Sequence, residues 1–129
     1  MNASNALNAY RTVGAHGAVT DASPYRLIEM LLDGALDRLA TARGAMERGD
    51  RAQQGELLGR VISIVDNLRA SLDHGQGGEL SQRLGDLYDY MERRLVEAGQ
   101  GGDTGAVDEV RSLLGEIRAG WAGIPEELR

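Results

Sequence analysis

The sequence predicts an all-α protein: an antiparallel four-helix bundle that carries a short, partly mobile N-terminal segment. Three observations support this prediction. Apolar residues recur every three or four positions in four separate stretches, glycine clusters lie between several of them, and 129 residues suit one compact domain. Four amphipathic helices joined by short turns can bury their apolar faces around one shared core.

The first predicted helix spans 24–48. Ser23 suits the N-cap, where its oxygen accepts a hydrogen bond from an unpaired backbone N–H group. Pro24 suits the first helical position, because the missing N–H is not needed there. Gly49 follows the last residue of the apolar stripe and predicts the end of the helix.

Residues 1–22 form a separate N-terminal segment of mostly small and polar residues. Leu7 and Tyr10 stand out in it, and their spacing of three would place them on one side of a short helix. Gly14 and Gly17 indicate a mobile connection to the bundle. We therefore expect a short helix followed by a flexible link.

The rest of the chain divides into three further helices and a tail. The second, third and fourth helices are predicted at 51–74, 79–98 and 104–122, so that the bundle domain covers 23–125 and the tail 126–129. Gly-rich runs separate the second, third and fourth helices and are typical of turns. Connections this short imply that consecutive helices are antiparallel neighbours.

The second predicted helix carries two adjacent apolar rows. One row is Leu57, Val61, Ile64 and Leu68, and the other is Leu58, Ile62, Val65 and Leu72. Two rows are wider than one helix–helix seam requires. The surplus row either forms a groove for a peptide or is buried deep in the core, and the sequence leaves both interpretations open.

The chain has a formal net charge of −6 at neutral pH. Because an acidic surface repels nucleic-acid phosphates, this charge argues against a nucleic-acid partner. No apolar stretch approaches the ~20 residues that a membrane span requires, so we expect no such span. The start of the chain lacks the basic and apolar regions of a signal peptide, so we expect a cytoplasmic protein.

The sequence contains few of the residue patterns on which enzymes depend. It has no cysteine, and neither of its two histidines, His16 and His74, is paired with a second ligand at helical spacing. Neither a Glu-x-x-His pair nor a phosphate-binding loop of the GxxxxGK(S/T) type occurs. We therefore expect no enzyme, with no catalytic residue, no cofactor and no metal site. A four-helix enzyme with a cofactor in its core is a rival hypothesis, which metal analysis and an absorption spectrum would test.

Several segments, taken in chain order, are more specific than a generic helical bundle. They are Ala9-Tyr10, residues 20–35 with the sequence TDASPYRLIEMLLDGA, Ser71-Leu72-Asp73, Gly77-Gly78-Glu79-Leu80, Leu87-Tyr88-Asp89-Tyr90-Met91, and the run from Leu113 to Trp121. This ordered set resembles the flagellin secretion chaperone family, FliS, over nearly the whole chain. The segment from Leu87 to Met91 is the most specific part of the resemblance.

The resemblance implies a cytosolic export chaperone. Members of this family bind the C-terminal segment of flagellin, which is disordered in the free monomer, prevent premature polymerisation and assist delivery to the flagellar type III export apparatus. The resemblance also makes an export gate component and the flagellar anti-sigma factor candidate partners, and places the N-terminal segment over the binding groove. The alternative is a helical adaptor or chaperone for a different export substrate or regulator.

The candidate partner-binding residues come from the N-terminal segment, the second helix and the tyrosines of the third helix. They are Leu7, Tyr10, Leu58, Val61, Ile62, Val65, Leu68, Leu72, Tyr88 and Tyr90. Tyr88 and Tyr90 differ by about 200° around a helix, so one of them is expected at the surface or in a groove. Docking of an apolar helical segment into a groove is the binding mode that we expect.

Overall fold

A computed structural model describes residues 23–129, and this part of the chain forms four α-helices and a short 3-10 helix. The helices are α1 (Pro24–Arg48), α2 (Arg51–Ala70), α3 (His74–Gly101) and α4 (Thr104–Ala122), followed by the 3-10 helix at Glu126–Leu128. Each helix packs against two others, in the cyclic order α1, α2, α3, α4. The predicted all-α four-helix bundle is therefore confirmed. None of the helices within residues 23–129 has the length and apolar character that a membrane span requires.

Two short connections at one end of the bundle have the same sequence, Gly-Asp. Gly49 and Gly102 end α1 and α3 in the left-handed conformation, with φ angles of 74° and 67°. Each glycine N–H donates a hydrogen bond to a carbonyl of the preceding helix. Asp50 and Asp103 then cap α2 and α4, because each carboxylate accepts a hydrogen bond from the backbone N–H three residues on.

The connection between α2 and α3 corrects two predicted boundaries. The second helix, predicted at 51–74, ends at Ala70, and the third begins at His74 rather than at residue 79. Asp73 lies between them, and its carboxylate accepts a hydrogen bond from the backbone N–H of Gln76. This cap starts α3 at His74, because the Gln76 N–H bonds to the Asp73 side chain instead of to a backbone carbonyl of a continuing α2.

Gly78 interrupts the regular backbone near the start of α3. Its φ of 54° and ψ of −126° lie in a region that residues with a side chain rarely adopt. The run of residues 75–78 was predicted to be a turn, but it forms the first turn of α3 and the kink at Gly78. At the other end, α3 continues to Gly101, beyond the predicted end at residue 98.

The core is continuous and largely aliphatic, and it divides into two halves along the bundle. The closed half comprises residues 39–61 and 91–110, next to the two Gly-Asp connections, and the open half comprises residues 24–35, 65–88 and 114–124 at the opposite end. Four alanines of the closed half are completely buried: Ala42, Ala45, Ala98 and Ala106. Small side chains allow neighbouring helices to approach closely, so this half of the core is sealed.

Candidate functional site

A cavity opens between all four helices in the open half. Its volume is about 100 Å³, and its lining is Ile28, Leu32, Leu68, Ser71, Leu72, Leu84, Tyr88, Ile117 and Trp121. A depression of about 280 Å³ adjoins it and shares three of these residues, Ile28, Ser71 and Trp121. We call the two together the end cavity. Most of its lining is apolar, and several of its large side chains are only partly buried.

The outer wall of the end cavity is a reciprocal contact between α1 and α4. The Tyr25 hydroxyl donates to the Trp121 carbonyl at 2.8 Å, and the Trp121 indole N–H donates to the Tyr25 carbonyl at 3.0 Å. The two rings stack with centroids 5.1 Å apart. The guanidinium carbon of Arg129 lies 4.3 Å from the centre of the Tyr25 ring. These contacts fix the start of α1 against the end of α4.

An ion pair on the same two helices lies close to this wall. Arg118 on α4 donates from Nε to Asp33 on α1 at 2.7 Å, and its Nη2 lies 3.2 Å from Glu29. The hydrogen bond from Asp33 is the main cause of the raised pKa of Arg118. Charged groups therefore flank the apolar end cavity and hold α1 and α4 in register there.

A second concave surface runs between α2 and α3, and we call it the lateral groove. Its volume is about 390 Å³, and its lining is Ile62, Glu92, Arg93, Val96 and Glu97. Val96 is one of the few large apolar side chains that the described part of the chain exposes, with 46% of its surface accessible. The lateral groove thus combines an exposed apolar strip with charged residues.

Glu92 is a partly buried carboxylate of the lateral groove, with its side chain 22% exposed. Its Oε2 atom is buried and has no hydrogen-bond donor among residues 23–129. Burial raises the pKa of the Glu92 carboxyl, although Arg69, with its Nε 3.8 Å from Oε2, opposes the shift. Asp66 and Asp89 add like charge and raise the pKa further. The carboxylate is therefore incompletely compensated.

The two tyrosines of α3 face opposite directions, as their spacing predicts. Tyr88 is 4% exposed and contributes to the core, and burial raises its pKa to about 12. Tyr90 instead donates its hydroxyl to Glu109 of α4 at 2.8 Å, and Arg94 donates to the same carboxylate at 2.8 Å. These hydrogen bonds, that from Arg94 first, hold the pKa of Glu109 below its ordinary value. Tyr90 therefore joins α3 to α4.

Neither of the two predicted apolar rows of α2 is buried as a unit. The buried residues of this helix are Gln54, Leu58, Val61, Val65 and Leu68, which come partly from both rows. The arc that faces the core lies between the rows, because the buried face of a helix repeats every 3.6 residues. The surplus apolar surface reduces to the two flanks, where Leu57 and Ile64 lie on one side and Ile62 on the other.

The structure divides the predicted partner-binding residues among three places. Leu58, Val61 and Val65 pack inside the core, Leu68, Leu72 and Tyr88 line the end cavity, Ile62 lines the lateral groove, and Tyr90 contacts α4. Leu7 and Tyr10 lie outside the described residues. The described residues of the set therefore do not form one continuous face.

Several lining residues were missed by the sequence prediction. Ile28, Leu84, Ile117 and Trp121 line the end cavity, and Glu92 and Val96 line the lateral groove. One partial signal was available for the end cavity: the apolar stripe of α4 changes from Val107 and Val110 to the larger Ile117 and Trp121 towards that end. No comparable pattern marked Glu92. Among residues 23–129, no group of three or more His, Cys, Asp or Glu side chains could hold a metal ion.

Comparisons with known proteins agree over nearly the whole chain. The family model described as flagellar protein FliS matches residues 6–128. The flagellar secretion chaperone FliSB of Pseudomonas aeruginosa is 48% identical over 124 residues, covering 96% of this chain and 98% of its own length. The flagellar secretion chaperone FliS of Salmonella typhimurium is 45% identical over 125 residues, with 96% and 93% covered. That of Bacillus subtilis is 34% identical over 110 residues, with 85% and 81% covered.

Proposed function

This chain belongs to the FliS family of flagellar proteins, and on that premise we propose that it is a cytoplasmic export chaperone for flagellin. It binds the C-terminal segment of flagellin, prevents premature polymerisation and assists delivery to the flagellar type III export apparatus. Delivery implies contact with an export gate component, and the flagellar anti-sigma factor is a further proposed partner. The relatives are named as secretion chaperones, and we propose no catalytic role.

The end cavity is the observation that carries this proposal. Ile28, Leu72, Leu84 and Ile117 contribute apolar surface that the bundle covers only in part. Partly covered apolar surface between helices is the feature that an amphipathic segment uses, because its large side chains can enter the cavity and lose contact with water. The Tyr25–Trp121 contact keeps the wall of this cavity ordered before a partner arrives.

A disordered substrate segment needs more than one contact surface. Such a segment loses conformational entropy when it binds, and it compensates by covering a large area with apolar contacts. The end cavity and the lateral groove lie at different levels of the bundle, and both are bordered by α2 and α3. An extended segment that spans both surfaces is consistent with this arrangement.

Calorimetry and size-exclusion chromatography with two forms of flagellin test the proposal. We expect the chaperone to form a complex with full-length flagellin and to lose it when the C-terminal segment of flagellin is deleted. Undiminished binding of the truncated flagellin would contradict the proposal. That result would favour the alternative, a helical chaperone or adaptor that recognises a different export substrate or regulator.

A pair of leucine variants tests whether the end cavity is the site. Leu72→Gln places a polar amide in the cavity lining, and we expect it to weaken binding of the flagellin segment about tenfold. Leu80→Gln is the matched control, because Leu80 lies on the next helix outside the cavity and is 65% exposed. Circular dichroism should show unchanged helicity for both. Equal affinities of the two variants would contradict this assignment of the site.

A further inference from the structure

We propose that Glu92 is a specificity-determining residue of the lateral groove, where its carboxylate binds an Arg or Lys side chain of the flagellin C-terminal segment. The rest of that part of the segment packs on Ile62 and Val96. This inference rests on the proposed function and adds to it a second contact surface, separate from the end cavity. It also specifies the chemistry that this surface selects: a cation among apolar residues.

The shape of the lateral groove fits a helical or extended segment. Ile62 of α2 and Val96 of α3 provide the apolar walls, and the Glu92 carboxylate lies with them in the same groove. Gly59 and Gly55 precede Ile62 by three and seven residues, so they continue the same face of α2. A Cβ atom at either glycine would meet nothing within 4 Å, so this face of α2 is open to a closely packed partner.

The charge balance around Glu92 favours a cationic partner. Arg69 is the shared cation of three carboxylates, Asp66, Asp89 and Glu92. Its hydrogen bonds go to Asp66 and Asp89, whereas its Nε remains 3.8 Å from Glu92, beyond hydrogen-bond distance. One guanidinium therefore pairs with three carboxylates, and its contact with Glu92 is the longest of the three. The Glu92 side chain is 22% exposed in the groove, so an incoming Arg or Lys can form a charge-assisted hydrogen bond with its carboxylate.

The other cations near the groove are directed elsewhere. The guanidinium carbon of Arg93 lies 5.9 Å from the centre of the Tyr90 ring. Arg94 donates to Glu97 at 2.9 Å and to Glu109 at 2.8 Å. Both side chains therefore contact groups other than Glu92.

The test compares Glu92→Gln with Glu79→Gln by calorimetry against the isolated C-terminal segment of flagellin. Glu79 is the matched control, because it lies on the same helix and its side chain is 74% exposed. We expect Glu92→Gln to weaken binding about tenfold and Glu79→Gln to stay within about twofold, since hydrogen bonds to charged groups carry such differences. The melting temperature of Glu92→Gln should not fall, because the variant removes a partly buried charge that is poorly compensated.

Two further measurements separate the possible outcomes. Val96→Gln, at a position already 46% exposed, should weaken binding while leaving helicity unchanged. Raising the salt concentration should weaken binding of the wild type more than binding of Glu92→Gln, because salt screens the proposed ion pair. If Val96→Gln binds as tightly as the wild type and salt affects both proteins equally, the lateral groove does not contact the segment and the inference is overturned.

The proposed function and this inference fail in different ways. If the wild type binds the flagellin segment and Glu92→Gln binds equally well, only the inference is overturned. If the wild type does not bind the segment, both are overturned. If Glu92→Gln instead abolishes a concentration-dependent dimer without changing the affinity for flagellin, the groove joins two copies of this chain, and the inference is again overturned.

Discussion

The closed and open halves of the bundle are built from the same four apolar stripes, but they pack differently. In the closed half, alanines alternate with leucines and valines, and side chains such as Leu39, Val61 and Leu95 are fully buried. In the open half, Leu84 and Trp121 remain partly exposed around a cavity. Small residues between large ones allow close interdigitation, whereas large residues facing one another do not. The comparison teaches that the core is closely packed in one half of the bundle and leaves a cavity between the helices in the other.

The connections between helices are also more regular in the closed half than in the open half. The closed half has two Gly-Asp connections, each with a left-handed glycine and an aspartate cap. The connection in the open half, between Ala70 and His74, has no left-handed residue, and the irregular backbone lies instead at Gly78 inside α3. Tight capped turns hold helix ends together, while the kink gives α3 a less regular start next to the end cavity.

The largest expected difference concerns leucines in the two halves. Leu95→Ala removes a fully buried side chain from the closed half and should lower the free energy of unfolding by about 2–5 kcal/mol. Leu84→Ala removes a partly buried one and should cost about 1–2 kcal/mol. Urea denaturation measures both. Binding of flagellin should instead be weakened more by Leu84→Ala than by Leu95→Ala. Equal losses of stability in the two variants would contradict the difference in packing between the two halves.

The next expected effect tests whether water reaches the buried Tyr88 hydroxyl in the open half. Burial raises the folded-state pKa of Tyr88 from 10.0 to about 12. The stability that neutral Tyr88 contributes is therefore fully present below pH ~10 and is lost as the pH rises towards ~12, by about 2–3 kcal/mol. Tyr88→Phe keeps the ring and removes the titrating hydroxyl, so this part of the alkaline loss should disappear.

Urea denaturation between pH 7 and pH 11.5 compares the wild type with Tyr88→Phe. The two proteins should diverge only above the ordinary pKa of a tyrosine, ~10. An identical alkaline loss in both proteins would mean that water reaches the Tyr88 hydroxyl through the end cavity. The closed and open halves would then differ in hydration as well as in packing.

The smallest expected effect has opposite signs at two glycines of the closed half. Gly49→Ala forces a side chain into a φ of 74°, so it should lower stability by about 1–2 kcal/mol. Gly55→Ala lies inside α2, where the added Cβ would meet nothing within 4 Å, so it should raise stability by about 0.5–1 kcal/mol. Thermal unfolding measures both variants. Unchanged or raised stability of Gly49→Ala would show that the Gly-Asp connection does not need its left-handed glycine.

Part of the candidate site was accessible from the sequence, and part was not. Leu68, Leu72 and Tyr88 were predicted partner-binding residues, and all three line the end cavity, although their role in binding remains a prediction. Ile62 was predicted, but its neighbour Glu92 was not. A carboxylate on a helix is usually solvated, and nothing in the order of residues reveals that Arg69, which pairs with Glu92, is shared with two other carboxylates.

The sequence by itself determined the helical architecture and the family, because these depend on local periodicity, capping residues and ordered motifs. Ser23, Asp50 and Asp103 mark helix starts through hydrogen bonds that reach only three residues along the chain. The tertiary structure alone decided which apolar residues of α2 face the core, where the end cavity opens and why Arg69 compensates the charge of Glu92 only in part. Those properties depend on the rotation of each helix about its axis and on side chains brought together from distant positions, which local spacing does not specify.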